Sequence, residues 1–175
     1  TWVGIPGGAT LPAWMPAVSG SATLLMLVPV LAVGTSAFLT LRGSTVKCFS
    51  GPLCFVRFGV GSFVLSGLLL AVSALPQVSR VTDFTWFGTA LTQLRLYGFF
   101  AMTMFGAIYH ILPHLVGPDR VCPRWMRINF WLVMPGTLLF ALPLAFGGIG
   151  QGLKLMDASL PFVEVAKSTL MAFRI

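Results

Sequence analysis

Acidic residues are scarce in this chain: four Asp and Glu stand against eleven Lys and Arg, and charged side chains make up only 9% of 175 residues. A soluble core of that size needs a polar coat, and 57% hydrophobic content leaves too little material for one. Membrane is the solvent that the composition allows. The cations sit singly at the ends of apolar runs and form no stripe, which argues against nucleic acid as a partner. Cysteine is equally sparse. Cys48, Cys54 and Cys122 have no C-x-x-C spacing and no His at a zinc interval, so neither a disulfide framework nor a metal site is expected. Thr1–Ala13 is rich in Gly and Pro without a basic start, which does not read as a cleavable signal peptide. The first residue is not Met, and an apolar run has just begun at Phe173-Arg174-Ile175, so the chain is expected to be part of a longer protein.

What is present is apolar length. About 20 helical residues cross ~30 Å of hydrocarbon. Four runs meet that requirement, near 17–41, 53–75, 86–112 and 128–149, and a partial fifth begins near 160, interrupted by Glu164, Lys167 and Arg174. Gly43, Gly51-Pro52, Pro76, Pro113, Gly117-Pro118, Gly147-Gly148 and Pro161 mark the joints. The expected fold is all-α: one integral-membrane helix bundle over 1–175, with four full transmembrane helices and a partial fifth.

Loop charge gives the orientation. Arg42, Lys47 and Arg57 flank the first loop, and Arg120, Arg124 and Arg127 outweigh Asp119 in the third. In the other two loops Arg80 balances Asp83 and Lys154 balances Asp157. Loops near 42–52 and 113–127 are therefore expected on the cytoplasmic side. Gly20-Ser21-Ala22, Gly59, Gly61, Gly98, Gly106-Ala107 and Gly147-Gly148 through Gly152 are small enough for helices to approach closely, which favours a bundle over separate helices.

Several segments, taken in order, carry a family likeness. They are Leu11-Pro12-Ala13-Trp14, Asp83-Phe84-Thr85-Trp86, Phe105-Gly106-Ala107-Ile108-Tyr109 with Leu112-Pro113, Phe130-Trp131-Leu132 with Gly136, Gly148-Ile149-Gly150-Gln151-Gly152-Leu153, and Leu160-Pro161-Phe162-Val163-Glu164. Over nearly its whole length the chain resembles the second half of the catalytic subunit, subunit I, of cbb3-type cytochrome c oxidases, within the haem-copper oxidases and nitric oxide reductases. The resemblance implies a membrane helix bundle in a bacterial inner membrane and a place in a respiratory complex.

It also implies ligands that are missing here. The family carries a His-x-His pair about two turns before the Phe-Gly-Ala segment, one imidazole for each haem. This sequence has Leu91 and Gln93 there, neither an ordinary haem ligand. Ile5-Pro6-Gly7-Gly8-Ala9-Thr10 stands where copper-binding histidines would be. Phe63 falls near the active-site tyrosine, and Leu69 or a neighbour replaces a carboxylate. No catalytic, cofactor-binding or metal-binding residue is therefore predicted, and no cofactor is expected in this chain.

Some residues keep a functional reading beside a structural one. Arg95 lies about nine residues inside the third helix, where an unpaired cation is costly. With Gln93 and Tyr97 it is a candidate contact for an anionic group such as a lipid phosphate, a quinone oxygen or a haem propionate. Alternatively it snorkels or pairs with Asp83, while Phe84, Trp86, Phe87, Tyr97, Phe99 and Phe100 plug the space of an absent macrocycle. His110 and His114 share a helical face without a third ligand and serve equally as a pH-sensitive pair or a cap. Glu164 and Lys167 are spaced to pair. Arg120, Arg124, Trp125 and Arg127 read as topology first, and then as a patch for a partner or anionic lipid.

The leading expectation is a non-catalytic membrane scaffold that anchors other membrane subunits, with c-type cytochromes among them, in an electron-transfer complex. An active terminal oxidase or nitric oxide reductase, with haem b held by ligands outside this chain, is the alternative. A transporter or channel on the same bundle is a third reading.

Overall fold

A computed structural model describes residues 12, 14–42, 51–117, 122–156, 163–165 and 167. Lys47, Cys48, Asp119, Arg120, Asp157 and most of the partial fifth run lie outside them. Among the described residues every regular element is helical: α1 (Trp14–Leu25), α2 (Leu27–Arg42), α3 (Pro52–Ser73), α4 (Pro76–Thr82), α5 (Trp86–Gln93), a π-helical segment (Leu94–Ala101), α6 (Met102–Val116) and α7 (Pro123–Leu155). They make four spans long and apolar enough to cross a membrane: Trp14–Arg42, Pro52–Ser73, Trp86–Val116 and Pro123–Leu155. The all-α integral-membrane architecture is as the sequence predicts.

The ends differ from expectation in ways that proline and glycine explain. The first span starts earlier and is interrupted at Met26, whose N–H still reaches the Ala22 carbonyl at 3.1 Å. Pro29 lacks the N–H that would have bonded the Leu25 carbonyl, which loosens the ladder at that point. Pro113, read as a helix end, lies inside α6. The helix stops only at Gly117, at φ 95°, whose N–H closes on the Pro113 carbonyl at 3.1 Å. The fourth span runs from Pro123 to Leu155 rather than 128–149, beginning on a proline whose missing N–H is no loss in a first turn. Gly147-Gly148 therefore lies within α7 and is not a joint. Parts of the predicted third loop, 113–116 and 123–127, are helical.

A short helix that the sequence reading lacked, α4, fills the second loop. Pro76 opens it after an extended Leu75, and Ser79 Oγ donates 2.7 Å to Asp83 Oδ2 at its end. Phe84 then takes a left-handed conformation, φ 61°, which costs an L residue roughly 1–2 kcal/mol. The chain thereby turns into α5. Two polar contacts fix the start of α5: Phe87 N–H donates to Thr85 Oγ1 at 3.3 Å, and Trp86 N–H donates to Gln151 Oε1 of α7, also at 3.3 Å.

The chain divides into two compact units. One takes its described residues from Thr1–Leu27, Gly67–Thr92 and Phe140–Ile175. Its core joins Leu70, Phe87 and Leu91, with Leu69 and Ala145 packed against them. There α7 touches the backbone of its neighbours: a Cβ on Gly148 would collide with Phe87 N and one on Gly152 with the Val81 carbonyl. The other unit takes its described residues from Val28–Ser66 and Gln93–Leu139. Its centre is Phe55, fully buried, with ring centroids 5.4 Å from Tyr109 and 5.1 Å from Phe130. Around it Gly106 lies so close to α3 that a Cβ would sit 3.1 Å from the Pro52 carbonyl, and one on Gly98 would sit 3.0 Å from Ser62 Oγ. Small residues thus set the helix spacing, as expected of helices in lipid. The face differs from expectation at two of them: Gly61 and Gly150 have nothing within 4 Å.

Hydroxyls in the spans turn back onto their own helices. Ser21, Thr23, Thr35, Thr40, Ser66, Ser73, Thr92, Thr103 and Thr137 all donate to carbonyls three or four residues earlier. With no water at that depth, such bonds satisfy the hydroxyl internally.

Candidate functional site

The stretch Leu91–Gly98 is where the resemblance would put haem ligands, and it is built as packing. Leu91 is 5% exposed and lies in the apolar cluster with Leu70 and Phe87. Its side chain has no lone pair to offer iron. Two residues on, Gln93 Oε1 is buried without a hydrogen-bond partner. An amide oxygen is a poor substitute for the axial imidazole that sets a b-type haem in place. Phe63, at the place of a reactive phenol, stacks on Phe99 with centroids 4.8 Å apart and planes tilted by 40°. Among the described residues no three His, Cys, Asp or Glu side chains gather as a metal site. The donor set present in the described residues therefore does not fit a haem or copper held in the family's manner.

From Leu94 to Ala101 the backbone is π-helical. Each such turn takes in an extra residue and shifts every later side chain around the axis, so faces drawn at an α-helical period do not apply. Arg95 is partly buried and its Nε donates to Ser66 Oγ of α3 at 3.4 Å. Tyr97 is 49% exposed. The expected aromatic plug divides: Phe87 is buried and Phe99 packs on Phe63, whereas Phe84, Trp86, Tyr97 and Phe100 are exposed. Rings spaced at one or two residues cannot share one face of a helix, so only part of that set can turn inward.

His110 and His114 are both exposed, with rings 5.5 Å apart. Nδ1 of His114 lies 3.0 Å from the His110 carbonyl, a bond that satisfies a carbonyl near the helix end. Arg124, Trp125 and Arg127 occupy the exposed first turns of α7, while Arg120 is outside the described residues. Glu164 and Lys167 are exposed. The sequence reading missed the polar link between α6 and α7, where Asn129 Nδ2 donates to Tyr109 Oη at 2.7 Å. Asn129 stands two residues past Arg127, and nothing in the sequence pairs it with Tyr109, twenty residues earlier.

Comparison with known proteins agrees with this framework. The cbb3-type cytochrome c oxidase subunit CcoN1 of Stutzerimonas stutzeri is 28% identical over 150 residues, covering 82% of this chain and 31% of that protein. A cytochrome c oxidase subunit 1 homolog of Agrobacterium tumefaciens (strain T37) is 25% identical over 150 residues, covering 82% of this chain and 27% of its own length. Cytochrome c oxidase subunit 1 of Rhodobacter capsulatus is 24% identical over 148 residues, with the same coverages. The chain spans under a third of the length of these relatives. Residues 8–174 match the family described as Cytochrome C and Quinol oxidase polypeptide I, and the chain belongs to that family of membrane oxidase subunits.

Proposed function

We propose that this chain serves as a non-catalytic, subunit-I-like membrane scaffold of a respiratory electron-transfer complex, anchoring other membrane subunits and c-type cytochromes. The observation that carries the reading is Leu91, sunk in an apolar cluster at the place of a haem ligand, while the helix-to-helix packing around it is kept. Helices α1 and α2 support the anchoring role: neither has a buried residue, and Trp14, Leu25, Phe38 and Leu39 are each more than 60% exposed. Such faces suit lipid or the helices of a partner. The back-bonded hydroxyls speak against a transporter, which needs polar groups free to meet a substrate at mid-membrane. In the same reading the complex sits in a bacterial inner membrane, with loops 42–52 and 113–127 cytoplasmic. Arg95, with Gln93 and Tyr97, is its candidate anion contact, and Arg124, Trp125 and Arg127, with Arg120, form its candidate partner or lipid face.

The test is a pyridine haemochrome assay on the purified chain in detergent, with haem counted per polypeptide. Less than about a tenth of a haem per chain supports the scaffold. One or two b-type haems per chain overturns it in favour of an active oxidase or nitric oxide reductase subunit.

A further inference from the structure

The feet of α3 and α7 enclose a cavity of about 620 Å³, and Arg127 of the proposed partner or lipid face belongs to its lining. Arg57 and Phe58 line it from α3, and Met126, Arg127, Phe130 and Trp131 from α7. On α3 the lining positions 54, 55, 57 and 58 lie within about one turn, with Gly51 just before the helix, and on α7 positions 123, 126, 127, 130 and 131 repeat at three and four residues along one continuous face. The walls are apolar and aromatic, and the two charges on them are both cationic.

Depth matters as much as lining. Arg57 is five residues into α3 and Arg127 four into α7, about 6–8 Å along each axis, within snorkelling reach of the interface. Trp125 and Trp131, 71% and 56% exposed, lie two and eight residues into α7, about 3 and 12 Å along it, so they bracket the arginines in depth, and Trp is of the type that settles among headgroups. A cavity of this volume is in the range that holds a small ligand. An aromatic floor beneath two guanidinium groups matches an amphiphile with an anionic head and an apolar body.

We infer that this cavity is a binding site for one anionic phospholipid, its phosphate held by Arg57 and Arg127 and the upper part of an acyl chain laid against Phe58, Phe130 and Trp131. Guanidinium forks suit phosphate oxygens, and a zwitterionic lipid would bring its own cation against them. The inference rests on the chain's being a membrane protein and is independent of whether it carries haem.

Native mass spectrometry of the full chain, released from nanodiscs of equimolar phosphatidylglycerol and phosphatidylcholine, tests it. One phosphatidylglycerol should be retained per chain. At about fivefold per arginine the preference over phosphatidylcholine should reach roughly twenty-five-fold, and the double variant Arg57→Gln/Arg127→Gln should reduce it to about one. Arg80→Gln, on α4 and outside the cavity, should change nothing. Retention without headgroup preference, a preference that survives the double variant, or a co-purifying polypeptide or second copy of the chain in place of lipid would each overturn the assignment. Should the double variant fail to fold, Cys54→Trp decides in its place: it narrows the same cavity with both arginines intact and should abolish retention.

Discussion

Gly148→Ala and Gly150→Ala, two residues apart on α7, are expected to move the stability of the bundle in opposite directions. A methyl at 148 would collide with Phe87 N, at 2.8 Å from Phe87 Cα and 2.9 Å from the Trp86 carbonyl carbon. All three atoms are backbone, so no side-chain rotation relieves the clash and α7 must back away from the start of α5. That displacement also strains the Gln151 bond to Trp86 N–H. Overpacking of this kind costs about 1–3 kcal/mol. At 150 the methyl meets nothing within 4 Å, and replacing a helical Gly by Ala contributes up to about 1 kcal/mol. At about 2–4 °C per kcal/mol for a chain of this length, Gly148→Ala should lower the melting temperature by roughly 2–12 °C while Gly150→Ala raises it by up to about 4 °C. The assay is a thermal melt followed by circular dichroism, both variants in the same detergent at the same protein concentration. If the two melt within about a degree of each other, the close approach of α7 to α5 is wrong, and with it the claim that small residues set this spacing.

Other perturbations reach the remaining links. Tyr109→Phe, Asn129→Leu and the double variant form a cycle on the α6–α7 hydrogen bond, and the coupling energy should be about 0.6 kcal/mol, as for bonds between membrane helices; a coupling of zero would mean the bond is not made. Leu91→His puts an imidazole where the family has one, but into a packed apolar cluster, so it should destabilise by about 1–3 kcal/mol and leave haem below about a tenth per chain. Stoichiometric haem in that variant at an unchanged melting temperature would show that the pocket needs only a ligand. Arg95→Leu loses the 3.4 Å bond to Ser66 and should leave the bundle folded by circular dichroism. Lipid or a partner subunit that co-purifies with the parent chain and is absent from this variant would identify Arg95 as an anion contact, and unchanged co-purification would assign it to snorkelling.

The four spans were legible because lipid imposes a simple rule, about 20 apolar residues without interruption. The same rule says nothing about where a helix stops once it leaves hydrocarbon. That is why α6 and α7 extend past their expected ends into the third loop, through residues whose hydropathy carries no signal. α4 did have a signal in Pro76, which suits the first position of a helix as well as it suits a joint. The π-helical segment had none, since no residue type in Leu94–Ala101 marks a switch from the α-helical period. At the candidate site, the chemistry that each side chain lacks was readable from its identity: Leu91 and Phe63 cannot ligate or donate wherever they point. Which groups meet was not readable. Ser66 beneath Arg95, Tyr109 against Asn129, and Arg57 across from Arg127 are pairs more than fifteen residues apart, and only the docking of α3, α6 and α7 brings them together.

These pairs also separate two demands that a family sequence places on its helices. Holding helices at a fixed distance needs small residues at the crossings and large ones between them, and it is met here by Gly98, Gly106, Gly148 and Gly152 with Phe55, Phe87 and Leu91. Holding a metal needs specific lone pairs at specific depths, and no packing term replaces them. A change at Leu91 or Phe63 that kept volume would remove the second property while leaving the first almost untouched, because volume-conserving exchanges in a packed interior typically cost under about 1.5 kcal/mol. The reverse loss is far more damaging: a side chain at Gly148 pushes two backbones apart, and every contact that depends on their distance goes with it. On the scaffold reading, a framework that outlasts its ligands is thus the direction of loss expected in such a bundle, and the packed helices that remain hold lipid and neighbours.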